Sequence, residues 1–114
     1  DFKPEGRPMP GEAVIAKRAN SAFIGTDLEQ RLRKEGWVTL VLCGVVTNNS
    51  LEATARHAGN LGFKTYVVAD ACIAFAKKDY HGTPRTAEEV HAMALSNLDA
   101  EYAEVIASDA AINL

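Results

Sequence analysis

The stretch Trp37-Val38-Thr39-Leu40-Val41-Leu42-Cys43-Gly44 decides the fold. It is almost continuously apolar and rich in β-branched residues. A strand wet on one face alternates apolar with polar, whereas an unbroken run is the pattern of a strand covered on both faces, in a parallel sheet between helices. Val45 and Val46 carry the run into a polar turn, Thr47-Asn48-Asn49. Asn49, with Glu52 three residues on, has the form of a capping box that opens a helix. Ala53, Ala55 and Ala58 give that helix a small-residue face able to lie close to a sheet, and Asn60-Leu61-Gly62 ends it.

Downstream, residues 64–70 read as a second strand and residues 71–85 as a polar connection. Thr86 and Glu89 form another capping box. It opens a long helix carrying Val90, Met93, Ala94, Leu98 and Tyr102 at three-to-four spacing. Residues 104–108 read as a last short strand and 109–114 as a tail. Upstream, residues 13–16 read as a short strand closed by Lys17. A loop over 18–25 follows. Thr26 and Glu29 then open a helix with Leu28 and Leu32 on one face, stopped by Gly36. Strands alternating with helices predict an α/β three-layer α-β-α sandwich with a mainly parallel sheet.

The composition agrees with one globular domain. The 114 residues are 47% hydrophobic and 24% charged, and 12 Lys+Arg stand against 15 Asp+Glu for a net charge of −3. That balance excludes a disordered or fibrous chain and argues against a nucleic-acid partner. Most of the acidity falls in residues 81–114, as on a solvated helix face. No run reaches the roughly 18 apolar residues of a membrane span, so no membrane partner is expected. Cys43 and Cys72 both lie in apolar runs and read as buried, reduced thiols of a cytoplasmic protein. The loop-like opening, Asp1 to Gly11, begins without Met, and the chain is expected to be the later part of a larger domain.

In open α/β sheets chemistry gathers at the carboxyl ends of strands. Two such ends carry reactive groups: Lys17, and the turn from Gly44 to Ser50. A nucleophile at a helix N-terminus has backbone N–H groups and the positive end of the helix dipole beside it, an arrangement suited to an oxyanion. A Lys nearby could take a proton or stabilise negative charge. On spacing alone, Lys17 reads more readily as a solvated charge and Ser50 as a capping residue. His57, His81 and His91 have no metal-ligand spacing, so no metal or other cofactor is expected. His91, near the apolar face of its helix, reads as a hydrogen-bonded packing histidine.

Several segments carry a resemblance. Residues 14–28, VIAKRANSAFIGTDL, resemble the "K…SAF.GT.L" segment of the isochorismatase-like cysteine hydrolases. Residues 44–56, GVVTNNSLEATAR, resemble that family's "G..T..CV..TAR" nucleophile turn. Val67-Val68-Ala69-Asp70-Ala71 and Ala87-Glu88-Glu89-Val90-His91 continue the likeness, in the family's order, across nearly the whole chain.

The resemblance implies a catalytic Lys at Lys17 and a nucleophile at the position of Ser50, where the family carries Cys. It implies a cis peptide between Val45 and Val46 and an oxyanion hole from the N–H groups of Val46 and Ser50. Phe23 matches an aromatic that lines the pocket or packs, and Asn49 is placed toward substrate. The family's catalytic Asp lies on a first strand with no counterpart here, so residues 1–114 are read as a single, N-terminally incomplete domain. The implied activity is hydrolysis of a small amide or carbamoyl compound through a covalent acyl-enzyme in the full-length parent. The competing reading is a non-catalytic small-ligand binder or structural homologue. The implied assembly is a homo-oligomer, dimer or tetramer.

Ser50 leaves three readings open: a replacement engineered to trap an intermediate, a natural Ser–Lys hydrolase, or a lineage that only binds ligand. A thiol is readily drawn to its thiolate at a helix N-terminus, while a hydroxyl needs a positioned base.

Overall fold

A computed structural model describes residues 2–114. Helix α1 spans Leu28–Glu35, strand β1 Thr39–Val45, a π-helical turn Thr47–Leu51, and helix α2 Glu52–Asn60. Strand β2 follows at Lys64–Ile73. A hairpin comes next, β3 at Lys77–Lys78 and β4 at Pro84–Arg85, before helix α3 at Ala87–Leu98, strand β5 at Glu104–Ile106 and helix α4 at Ser108–Ile112. The main sheet has the order β1-β2-β5 and every pairing in it is parallel. The fold is therefore α/β with a parallel sheet, as the alternation of elements predicts.

The sheet's packed face is legible from register. Leu42, Val67 and Val105 stand in one row across the three strands. They meet Leu51 and Ala55 from the π turn and α2, and Leu98 from α3. Val67, Ala55 and Leu98 are completely buried. A second cluster joins Phe23, Leu32, Ala58 and Phe63, with Leu40 at its edge. The alanines of α2 let the helix approach closely. At Gly59 an added Cβ would lie 2.6 Å from the Tyr102 carbonyl oxygen.

β1 departs from the expectation of burial on both faces. Thr39, Val41, Cys43 and Val45 are exposed, while Leu40, Leu42 and Gly44 turn toward the helices. Cys43 shares the open face, so of the two thiols expected to be buried only Cys72 is. Residues 13–16 form no strand. A strand needs a partner as well as apolar residues, and among the described residues none pairs with them. Val14 is accordingly exposed.

The helix starts divide. Thr86 and Glu89 form the predicted reciprocal capping box of α3, at 3.1 and 2.9 Å. Thr26 and Glu29 do not: Asp27 is the cap residue of α1 and makes no side-chain cap bond. Gly36 ends α1 as expected, at φ 73°. Asn49 does not cap α2, because the π turn runs directly into the helix and the Glu52 carboxylate accepts from Arg56 instead. α3 stops at Leu98, before Tyr102, and Met93 is solvent-facing. The expected tail forms α4, whose Ser108 N–H and hydroxyl both donate to Asp70 at 2.8 and 2.6 Å. β2 is longer than its sequence pattern because it bulges: between two shared rungs it advances from Val67 to Cys72 while β1 advances from Leu42 to Gly44.

Candidate active site

Ser50 lies in the turn that leaves the carboxyl end of β1. The Val45–Val46 peptide bond is cis. The Val46 carbonyl accepts from the N–H groups of Asn49 at 3.1 Å and Leu51 at 3.4 Å, so the chain coils tightly around the half-buried Ser50. Asn49 stands exposed on the outside of this turn. Winding of this kind is rare and frequent at functional sites.

The loop at residues 17–23 comes to the same place. Lys17 does not close a strand. Its Nζ donates to the Ala19 carbonyl at 2.8 Å and the Asn20 carbonyl at 3.0 Å, and this fixes the loop's shape. Ser50 Oγ lies 3.5 Å from Asn20 Oδ1, at the outer limit of a hydrogen bond. Lys17 and Ser50 are thus brought to opposite ends of one residue, Asn20: the lysine at its backbone, the serine at its side chain.

Two stitches hold the loop on α2. The Ala22 N–H donates to Thr54 Oγ1 at 3.0 Å, and Ser21 Oγ is 2.8 Å from His57 Nδ1. Ser21 Oγ also accepts from the Phe23 N–H at 3.2 Å. Phe23 itself lies in the apolar cluster, its ring stacked on Phe63 and tilted against His57, with centroids 5.9 and 5.1 Å away. Its contacts are those of a packing residue that anchors the loop.

Asn20, Ser21, Thr54 and His57 did not stand out in the sequence. One signal was available: Ser50, Thr54 and His57 are four and three residues apart, a polar stripe at helical spacing on an otherwise alanine-rich segment. Asp70, at the bulge of β2, is bonded to Ser108, and those bonds hold its carboxyl below the usual range. Among the described residues no group of three or more His, Cys, Asp or Glu side chains is arranged to hold a metal. An open groove of about 660 Å³ runs between the β3–β4 hairpin and α3, touching the turn only at Asn48.

Comparison with known proteins gives the family and the fold. The family model described as the Isochorismatase domain matches residues 1–110. The chain is 39% identical over 107 residues to the uncharacterized isochorismatase family protein YrdC of Bacillus subtilis, covering 94% of this chain and 57% of that protein. It is 34% identical over 99 residues to maleamate amidohydrolase of Pseudomonas putida, covering 87% of this chain and 41% of that protein. The crystal structure of an isochorismatase-family protein from Chromobacterium violaceum superposes with a TM-score of 0.96 at 57% identity, over 98% of this chain and 58% of the other. The chain spans about half the length of the relatives it matches.

Proposed function

The chain belongs to the isochorismatase family, and from that premise we propose that the protein containing it hydrolyses a small amide or carbamoyl compound, with the Ser50 hydroxyl as nucleophile. The observation that carries this reading is the convergence of Ser50, Asn20 and Lys17 at the strand end where α/β chemistry gathers. Maleamate amidohydrolase of Pseudomonas putida, ureidoacrylate amidohydrolase of Methylobacterium radiotolerans and nicotinamidase 3 of Arabidopsis thaliana are relatives named for C–N bond cleavage.

In the proposed first step Ser50 Oγ bonds to the substrate carbonyl carbon, its proton passes by way of Lys17 to the leaving nitrogen, and the C–N bond breaks. The N–H groups of Val46 and Ser50 face the oxyanion, and Asn49 contacts substrate from the rim of the turn. Water then cleaves the acyl ester and regenerates the hydroxyl. No cofactor takes part.

A second reading keeps one observation of its own. Among the described residues the hydrogen-bond partner of Ser50 Oγ is a neutral carboxamide and not a base. A hydroxyl so placed suits a protein that binds a small amide without cleaving it.

One experiment separates these readings: full-length protein carrying Ser50, Ser50→Ala or Ser50→Cys, incubated with a panel of small amides and carbamoyl compounds. Turnover with Ser50, lost in Ser50→Ala and in Lys17→Ala, supports the serine hydrolase. Turnover confined to Ser50→Cys assigns the serine to a replaced or degraded cysteine nucleophile. Binding without turnover by any form overturns the hydrolase reading.

We also propose that residues 1–114 are one N-terminally incomplete domain of a cytoplasmic homo-oligomer, a dimer or tetramer. The open face of β1, with Val41 and Val45 exposed beside Cys43, supports a further element packed there. Cys43 and Cys72 are both free thiols, which a reducing compartment accommodates. Among the described residues no helix is long and apolar enough to cross a membrane. Intact mass spectrometry and light scattering of the protein from its native source test both points. A monomer of 12.3 kDa that folds and turns over amides alone would overturn them.

A further inference from the structure

We propose that His91 is a positioning residue for the Ser50 turn, acting through Thr47; the inference rests on the reading of that turn as the nucleophile's seat. Thr47 opens the turn and is completely buried. A buried hydroxyl must find a partner, and Thr47 Oγ1 finds His91 Nδ1 at 2.8 Å. His91 belongs to neither the turn nor α2. It stands on α3, forty-four residues along the chain, and reaches across to the start of the turn.

The support behind His91 is firm. α3 begins at the reciprocal Thr86–Glu89 box and is packed into the core by Ala94 and Leu98. His91 lies between these two anchors. A π-helical turn is rare, and an uncommon backbone conformation persists where its surroundings over-determine it. Thr47 immediately follows Val46 and precedes Ser50 by three residues, so the Thr47 hydroxyl bond fixes the strand end from which the turn winds. The brace comes from the α3 side, while Thr54 and His57 hold the 17–23 loop from α2. The two hydroxyl–imidazole pairs, each 2.8 Å long, therefore secure different parts of the site.

The test uses the full-length protein bearing Ser50→Cys as a reporter. Alkylation of that thiol by iodoacetamide is followed by peptide mapping, which separates it from Cys43 and Cys72. The rate is compared with a small free thiol at the same pH, and thermal midpoints are recorded in parallel. The reporter is expected to react faster than the free thiol, as thiols do when the helix N-terminus favours thiolate. Adding Thr47→Val or His91→Leu is expected to slow it about tenfold, the scale of one lost hydrogen bond in a preorganised site. Thr47→Ser and His91→Asn, which keep a polar atom near the same place, are expected to restore it to within about twofold.

A purely structural histidine would lower the thermal midpoint and leave the rate of the folded protein unchanged. That result, or equal slowing by the conservative and disruptive variants, overturns the inference while leaving Ser50 as the nucleophile's position. Thr47→Val conserves shape and keeps the test open if His91→Leu fails to fold. A reporter no faster than the free thiol overturns the reading of the turn, and the brace falls with it.

Discussion

Ser50 Oγ stands 3.5 Å from the Asn20 side-chain oxygen, while Lys17 Nζ donates to the backbone carbonyl of the same asparagine at 3.0 Å. Asn20 is thus the joint between the two residues to which the proposed chemistry is assigned. Asn20→Ala is expected to lower kcat on any small amide the full-length protein cleaves by about three- to tenfold, since one weak hydrogen bond orienting the nucleophile is lost. Because the side chain is exposed, the thermal midpoint should stay within about 2 °C. Steady-state kinetics with a thermal melt checks both; a fall in midpoint with kcat preserved would show Asn20 to be a loop-stability residue only.

Gly59 faces the backbone of Tyr102 so closely that a methyl group would sit 2.6 Å from a carbonyl oxygen. Backbone cannot swing aside as a side-chain tip can. Gly59→Ala is therefore expected to destabilise by about 1–3 kcal/mol despite the higher helix propensity of alanine. Chemical denaturation reads the change directly. An unchanged or raised midpoint would mean that α2 and the turn at residue 102 can separate freely.

Asp70 accepts the Ser108 hydroxyl and then the Ser108 N–H, and both bonds favour the carboxylate and lower its pKa. A carboxyl lowered on folding stabilises above its unfolded value of about 3.9 and loses that contribution as pH falls through the folded value. The docking of α4 is thus expected to weaken below about pH 4. Ser108→Ala should bring the Asp70 titration back toward the ordinary carboxylate value, as an NMR titration of the side chain would show. A titration unaffected by Ser108→Ala would assign the lowering elsewhere.

Cys43 and Cys72 sit on adjoining strands but on opposite faces. Burial raises the Cys72 thiol pKa, while Cys43 lies on the open face of β1. In isolated residues 1–114, Cys43 is expected to react with iodoacetamide well before Cys72, since burial limits both access and thiolate content. In the full-length protein, a further element packed on that face would protect Cys43 as well. Equal protection in both lengths would remove the argument for such an element.

The three strands of the sheet were legible because each contains a short apolar, largely β-branched run, and they fall where those runs are. The sequence announced the start of α3 because a capping box is a local device. It misled over residues 13–16 and over the far face of β1, where burial depends on what lies alongside and apolar residues alone do not supply it. The end of α3 was hidden for another reason. Ala100 takes φ 66°, a conformation usual for Gly, and the Asp99 carboxylate accepts the Val105 N–H to lead the chain directly into β5. Nothing in the spacing of Leu98 and Tyr102 signals that reversal. The candidate site was half legible: Lys17 and Ser50 carry recognisable chemistry, whereas the pairs Asn20–Ser50, Asn20–Thr54 and Ser21–His57 are made by residues thirty or more positions apart along the chain.

The stitches from Thr54 and His57 have a mechanical consequence. α2 continues directly from the turn that bears Ser50, and the same helix grips the loop that bears Lys17 and Asn20. The separation between Ser50 and the loop is thus an internal dimension of one small rigid body. Thermal sway of α2 against the sheet carries both sides together and leaves their spacing intact. The loop draws away from the turn when those stitches part, so the breathing of the site depends on a few short polar contacts, with the Thr47–His91 bond holding the start of the turn from the α3 side.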